Sequence, residues 1–429
     1  MNNNIDSYSC KTLGCKVNQY ESELIAENAK LLGLKQNKFP ESDIVIINAC
    51  SVTQKTEAKV RYELNKALKS SASHIIFCGC MSKQLKENTL NISKKRIFLV
   101  DDADKAKSVF DVLIQLIYKE SLPEQKSSFS SELRSFSQKT RAFIKIQDGC
   151  ASFCSYCIIP YIRNHLWSRK PIEIIQEIKN VEKSSHSEIV LTGIHIGRYQ
   201  TNKFDLEAII KHIIKNTNIE RIRLSSIEPL EITDGLLKLF SDEKRLCPHF
   251  HIPIQSGSDR ILEKMNRKYR YKQFSSIIRK IKSSISDVTV TTDIIVGFPG
   301  ESDDDFKASL SALEENAFIK THIFPFSSRS GTKAASLTDK IPENIISKRK
   351  KIMAITADHT SNRKKEHFLK KTVSVLFEQQ TINDKNMFSG FSKNYLKVIA
   401  QSNSDIRNSI CNVFLEKIDN KGNFSGKLI

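Results

Sequence analysis

Cys150-Ala-Ser-Phe-Cys154-Ser-Tyr-Cys157, followed at once by Ile158-Ile159-Pro160, places three thiols at the spacing C-x3-C-x2-C. The chain holds 10 cysteines in 429 residues, too few for such a triplet to be an ordinary accident of composition. Thiolates are soft ligands that suit zinc, copper(I) or iron-sulfur clusters, and a short loop can wrap three of them around one centre. A structural zinc normally takes four ligands, and the next candidates, His165 and His195, fall outside the common finger spacings. A [4Fe-4S] cluster on three cysteines leaves one iron open to a substrate or cofactor. The spacing therefore favours iron-sulfur, with a zinc site or free core cysteines as the alternatives.

The surrounding composition is that of a soluble globular chain, 39% apolar and 27% charged, long enough for two to four domains. No basic-then-apolar leader precedes Asp6 and no apolar run approaches 18 residues, so a cytoplasmic protein without a membrane span is expected. A reducing cytoplasm also suits thiolate clusters. The net charge of +19 and a pI near 9.4 make a polyanion partner plausible, although a lysine-rich genome explains the same balance.

Residues 1 to about 118 alternate strands and helices: Tyr8 to Leu13, Asp43 to Asn48 and His74 to Cys78 as strands, Glu21 to Leu32 and Thr56 to Ser70 as helices. The pattern predicts a small parallel α/β sheet. Cys15, Cys50 and Cys80 each lie just past a strand. Loops at the carboxyl ends of parallel strands converge on one edge, so these three can meet in space and build a second cluster. Buried cysteines at strand ends are the plainer alternative. Cys10, Cys78, Cys247 and Cys411 receive no role, although Cys78 is two residues from Cys80 and in a strand faces the same side.

A serine-rich linker is expected over 119–139. Thr140 to Gly149 then reads as a strand running into the cysteine loop. Further strands are expected at Glu188 to Leu191, Arg221 to Leu224, His249 to Ile254, Val288 to Val296 and His322 to Phe326. Helices lie between them at Pro171 to Lys183, Leu206 to Asn216, Arg270 to Ser283 and Asp303 to Asn316. About six βα units predict a partial (βα)6 barrel with its site at the carboxyl ends of the strands. There stand Thr192 and Gly193, the hydroxyl and carboxylate of Ser225 and Glu228, Gln255, and the turn at Gly297. Each is also an ordinary strand cap or turn residue.

C-x3-C-x-aromatic-C, with Tyr156 as the aromatic, resembles the signature loop of radical S-adenosylmethionine enzymes. In that family the open iron binds the cofactor's amino and carboxylate groups, and one electron releases a 5′-deoxyadenosyl radical. Thr-Leu-Gly-Cys15-Lys-Val-Asn-Gln-Tyr-Glu-Ser, Asn-Ala-Cys50-Ser-Val-Thr and Gly-Cys80-Met together resemble the amino-terminal domain of the methylthiotransferases. Leu-Thr-Gly193, Leu-Ser-Ser-Ile-Glu228-Pro, His251-Ile-Pro-Ile-Gln-Ser-Gly-Ser-Asp, Thr-Asp293-Ile-Ile-Val-Gly-Phe-Pro-Gly-Glu and Phe326-Ser-Ser-Arg-Ser-Gly-Thr-Lys-Ala continue the likeness along the chain. The resemblance implies two [4Fe-4S] clusters, a radical one on Cys150, Cys154 and Cys157 and an auxiliary one on Cys15, Cys50 and Cys80. It also implies S-adenosyl-L-methionine bound near Tyr156, Thr192, Gly193, Ser225, Glu228, Gln255 and Gly297. An electron donor of flavodoxin or ferredoxin type and a sulfur source follow as partners.

Ile345 to Lys371 is a basic helical run containing Lys348-Arg-Lys-Lys351 and Arg363-Lys-Lys365; it is either a solvated face or a nucleic-acid surface. Val373 to Glu378, Tyr395 to Ala400, Cys411 to Lys417 and Phe424 to Ile429 read as strands of a small β-barrel. By position and by Gly390-Phe-Ser-Lys-Asn-Tyr-Leu-Lys-Val398 it is similar to the RNA-binding TRAM module, except that Asn408-Ser409-Ile410 lacks the usual glycine. From Lys333 to Ile429 there are 18 Lys and Arg against 9 Asp and Glu. The expected division is 1–118, 140–371 and 372–429 around the linker.

The segment Thr-Leu-Gly-Cys15-Lys-Val-Asn-Gln-Tyr-Glu most resembles the branch that converts N6-threonylcarbamoyladenosine in tRNA to its 2-methylthio form, just 3′ of the anticodon. Sister branches act on isopentenyladenosine in tRNA or on an aspartate of a ribosomal protein. A radical enzyme of coproporphyrinogen-oxidase type does not require the amino-terminal trio, and a non-catalytic zinc or iron-sulfur RNA-binding protein does not require the strand-end polar groups.

Overall fold

The computed structural model describes residues 5–50, 54–82, 97–102, 104–118, 128–136, 139–381 and 386–429. They form two compact units: the described residues of Met1–Gln138 with Phe143–Ala151 and Ile158–Ser184, and Lys139–Ala142 with Ser152–Cys157 and the described residues of Ser185–Ile429.

In the first unit β1 (Ser7–Leu13), β2 (Lys35–Gln36), β3 (Ile44–Ala49), β4 (His74–Gly79) and β5 (Ile97–Val100) make a wholly parallel sheet in the order β2-β1-β3-β4-β5. Every residue of β3 is buried, as a central parallel strand covered on both faces requires. Val45, Ile47, Ile75 and Phe77 pack against Val60 and Leu64 of the helix Gln54–Leu68. The expected amino-terminal strands and helices are all present. The first helix, however, runs Lys16–Leu31 and begins one residue after Cys15, five residues earlier than the apolar pattern indicated.

β6 (Arg141–Lys145) carries the chain from the second unit into the first. The expected single strand to Gly149 is broken at Ile146. The remainder, β7 (Gln147–Asp148), pairs antiparallel with β8 (Trp167–Ser168). Of the expected linker, 119–127 and 137–138 lie outside the described residues. Residues 128–136 lie on the first unit: Ser130 exchanges two hydrogen bonds with Asn28, of 2.8 and 2.9 Å, and Leu133 and Phe136 are buried. The serine content hides these two apolar anchors.

The second unit contains β9 (Glu188–Thr192) parallel to β10 (Arg221–Leu224), then β11 (His249–His251), β12 (Thr289–Val296) and β13 (Lys320–Pro325), again parallel. Bridges Ile222↔Leu246 and Ser226↔His251 join the two groups. Helices Leu206–Asn216, Asp234–Asp242, Tyr271–Ser284 and Asp303–Asn316 follow four of these strands. β11 stops three residues short of Ile254 because Pro253 has no N–H to continue a ladder. β13 starts two residues before His322.

β14 (Thr372–Gln380), β15 (Met387–Ser392), β16 (Lys397–Gln401), β17 (Ile410–Ile418) and β18 (Phe424–Leu428) close into a barrel in the order β14-β15-β16-β18-β17. Val375, Phe377, Phe388, Val398, Val413, Leu415 and Phe424 fill it. β15 was not expected. A side chain at its Gly390 would come within 2.1 Å of the Leu376 carbonyl, so this strand reads weakly in sequence because close strand approach demands a glycine there. Among the described residues no helix is long and apolar enough to cross a membrane.

Candidate metal centres

Strand register assembles the amino-terminal cysteines. Leu13 pairs with Ala49 and Ala49 with Gly79, so the three neighbouring strands end level. Cys15, Cys50 and Cys80 follow within two residues of those ends, and adjacent parallel strands lie about 4.8 Å apart. The loops interlock. Asn18 Nδ2 donates to Asn48 Oδ1 at 2.9 Å, and Asn48 Nδ2 donates to the Asn18 carbonyl at 3.0 Å. Cys15 Sγ donates to Asn18 Oδ1 at 3.1 Å, and the Cys50 N–H reaches the Leu13 carbonyl at 2.7 Å. Gly79, at φ +102°, lets Cys80 turn away from the strand; a Cβ there would strike the Ala49 carbonyl at 2.3 Å. Cys15 is exposed, and Cys50 and Cys80 are buried. Ser51, Val52 and Thr53 of the second motif lie outside the described residues.

Arg163, missed in the sequence, is buried beside this trio. Its Nε donates to Cys80 Sγ at 3.4 Å. Nη1 and Nη2 hold Glu21 at 2.8 and 3.0 Å, and Nη1 holds Asp148 at 2.8 Å. Lys145 pairs with Glu21 at 3.2 Å and Asp148 at 2.6 Å, and Lys105 with Glu21 at 3.6 Å. Against the cost of burial, Arg163, Lys105 and Lys145 hold the Glu21 carboxyl well below the carboxylate range. Three cations thus face two carboxylates, leaving one positive charge for thiolates. A hydrogen bond with Cys50, and then Arg163 working against burial, hold the Cys80 thiol well below its usual range. This donor set fits an anionic iron-sulfur cluster. Cys78 and Cys247 are both fully buried, and burial pushes their thiols up, Cys247 to about 11, the direction in which desolvation also moves the Cys15 thiol. Cys78 and Cys247 pack as thiols.

Around the signature loop, Gly149 takes φ +81°, and a Cβ there would meet the His165 carbonyl at 2.4 Å. The Cys150 N–H donates to the Arg163 carbonyl at 3.3 Å. In the second unit Phe153 takes φ +46° and its carbonyl accepts Asn266 Nδ2 at 2.8 Å. Ser155 bonds the carbonyls of Met265 and Lys264. Cys157 N–H meets the Cys154 carbonyl at 2.9 Å. Tyr156 packs on Ile261, Met265, Ile295, Phe298 and Ala334. Arg267 donates to Cys154 Sγ at 3.3 Å and forms an ion pair with Glu228.

A cavity of about 270 Å³ lies here, lined among others by Ser152, Cys154, His195, Glu228, Arg267 and Tyr269. It brings Cys154 and Glu228 together; Thr192, Gly193, Ser225, Gln255 and Gly297 do not line it. Thr192 ends β9, buried. The Ser225 hydroxyl is buried with no hydrogen-bond partner among the described residues. Gln255 takes φ +61° and bridges Ile294. Gly297, at φ +77°, donates its N–H to Glu301 at 2.9 Å, and Ile346 fills the space of its missing side chain. His251 and Asp293, quoted above only within their motifs, come together with His322 on β11, β12 and β13, their ligand-type atoms within 4.8 Å of one another; sequence reading did not group the three.

Residues 144–313 match the radical SAM superfamily and residues 7–100 the uncharacterized protein family UPF0004. "Threonylcarbamoyladenosine tRNA methylthiotransferase MtaB" of Chlamydia pneumoniae is 36% identical over 415 residues, 96% of this chain and 95% of that protein. The protein of the same name in Bacillus subtilis is 31% identical, covering 96% and 95%. "tRNA-2-methylthio-N(6)-dimethylallyladenosine synthase" of Endomicrobium trichonymphae is 32% identical, covering 91% and 95%. Among solved structures, the radical S-adenosylmethionine methyltransferase TsrM from Kitasatospora setae, with cobalamin and a [4Fe-4S] cluster bound, aligns with a TM-score of 0.54 over 77% of each chain. Its sequence is 11% identical, so the likeness is one of fold. By this extent of identity over nearly its whole length, the chain belongs to the methylthiotransferases of the radical S-adenosylmethionine superfamily.

Proposed function

We propose that this enzyme converts N6-threonylcarbamoyladenosine in tRNA to 2-methylthio-N6-threonylcarbamoyladenosine. The carrying observation is the level ending of β1, β3 and β4, which gathers Cys15, Cys50 and Cys80 in a chain that also has the C-x3-C-x2-C loop. For the choice of nucleoside the support is the two relatives named for threonylcarbamoyladenosine, 36% and 31% identical. A relative named for dimethylallyladenosine at 32% keeps that nucleoside as the second reading.

In this reading Cys150, Cys154 and Cys157 hold one [4Fe-4S] cluster and Cys15, Cys50 and Cys80 another. When bound, the clusters and S-adenosylmethionine supply one-electron chemistry at an unactivated carbon, and the sulfur and methyl group that are transferred. Arg267 orients the Cys154 sulfur and holds Glu228 at the cavity wall, where that carboxylate can take a ribose hydroxyl or an amino group. The unpartnered Ser225 hydroxyl offers a further polar contact, because a buried hydroxyl without a partner is costly. Thr192, Gly193, Gln255 and Gly297 complete the strand-end set.

The tRNA is the polyanion that the charge calls for. Lys348, Lys350, Lys351 and Arg363 are exposed on the helix Glu343–Glu366. Arg349 is excluded from this surface: it is buried and bound to Glu301 at 2.7 Å and Asp303 at 2.6 Å. The closed barrel is read as TRAM-like, an RNA-binding module. Division into 1–118, 140–371 and 372–429, an electron donor and a sulfur source belong to the same reading.

The test is reaction of the reconstituted enzyme, with S-adenosylmethionine, a sulfide source and dithionite, on two tRNAs differing only in the modified adenosine. Methylthiolation of the threonylcarbamoyl tRNA is expected. Methylthiolation of the isopentenyl tRNA alone overturns the choice of nucleoside, and of neither tRNA, with both clusters loaded, the tRNA reading.

A further inference from the structure

Arg163 bonds one cysteine from each proposed ligand set. Its carbonyl accepts the Cys150 N–H at 3.3 Å, and its Nε donates to Cys80 Sγ at 3.4 Å. The side chain is 4% exposed. Its two terminal nitrogens are fixed by Glu21 and Asp148, and Lys145 pairs with both of those carboxylates. A planar guanidinium held by two carboxylates has one orientation, so the Nε donor is aimed at the sulfur by the rest of the network. The carboxylates do not cancel the cations. Arg163, Lys145 and Lys105 outnumber Glu21 and Asp148 by one.

Resting on the cluster assignment above, we propose that Arg163 is a positioning residue of the auxiliary centre that fixes Cys80 and raises the potential at which that cluster is reduced. Reduction adds negative charge to a cluster and its sulfurs. A donor N–H on a ligand sulfur and an unscreened buried cation both favour the reduced state. The same residue ties this ligand to the backbone of Cys150, so the two loops share one anchor.

The experiment uses full-length Cys150→Ala protein, which keeps only the amino-terminal set, reconstituted anaerobically. Iron is counted, and the cluster is titrated with dithionite and followed by electron paramagnetic resonance. About four irons are expected. In this background Arg163→Gln is expected to shift the reduction equilibrium at least tenfold toward the oxidised form, a fall of about 59 mV for one electron. Arg163→Lys, which keeps the charge and loses the fixed Nε donor, is expected to fall between.

About four irons with an unchanged potential in Arg163→Gln overturns the proposal. If Arg163→Gln fails to load iron, the potential of Arg163→Lys decides, and an unshifted value overturns it. A Cys150→Ala protein without a cluster instead overturns the ligand assignment on which the proposal rests.

Discussion

Asn18 and Asn48 clasp each other at the sheet edge, amide to amide at 2.9 Å and amide to carbonyl at 3.0 Å. The first lies three residues after Cys15 and the second two before Cys50, so the clasp sets the spacing between two candidate ligands that are 35 residues apart. Both asparagines are fully buried.

Asn48→Ala strands buried amide groups and is expected to destabilise the first unit by about 1–3 kcal/mol. In the Cys150→Ala background it also lowers the iron count, because Cys15 and Cys50 lose their common reference. Denaturant titration together with iron analysis checks this. Unchanged stability and iron would show the clasp to be incidental.

Glu188 anchors the second unit. It holds Arg223 at 2.7 Å and Arg221 at 3.6 Å, and all three are buried. Arg223 continues to the Lys393 carbonyl at 2.8 Å and Arg221 to Ser374 Oγ at 2.8 Å, so the parallel core and the barrel share one carboxylate. Glu188→Ala leaves two buried guanidiniums without their counter-ion and is expected to destabilise by about 3–5 kcal/mol. Glu188→Gln, whose one amide oxygen can still accept from Arg223 Nε, should lose less. Equal, small losses in both variants by chemical denaturation would contradict this account.

Lys282 gives a pH signature. Burial, with the Lys364 charge adding to it, pulls its ammonium from the usual 10.5 down to about 8. The folded state then binds fewer protons than the unfolded state between about pH 8 and 10.5. Stability from this group therefore rises with pH across that window, and is lost as pH falls through 8. Lys282→Met should flatten this local rise in a series of denaturation curves. A rise of the same slope in the variant would assign it to another group.

Much of this was legible because it rests on local pattern. The Ile/Val-rich run at Ile44–Ala49 and the β-branched Thr, Val and Ile of Thr289–Val296 announce parallel strands, and the six cysteines stand at strand ends or at a recognisable spacing. What the sequence concealed depends on partners far along the chain. Arg163 sits in a short aperiodic stretch, and its partners Cys80 and Glu21 are 83 and 142 positions away. The helix start at Lys16 was missed because Asn18 is polar yet buried, its amide satisfied by Asn48. The packing of Ile346 into the space of Gly297's missing side chain likewise joins residues 49 positions apart, which no local pattern announces.

The central claim, methylthiolation of N6-threonylcarbamoyladenosine, is tested most directly by mass spectrometry of tRNA nucleosides from a host lacking its own methylthiotransferases, with and without this gene. The account predicts that 2-methylthio-N6-threonylcarbamoyladenosine appears only with the gene, and disappears with either Cys50→Ala or Cys150→Ala. Appearance of 2-methylthio-isopentenyladenosine in its place, or of no methylthio nucleoside from a protein carrying both clusters, would contradict it.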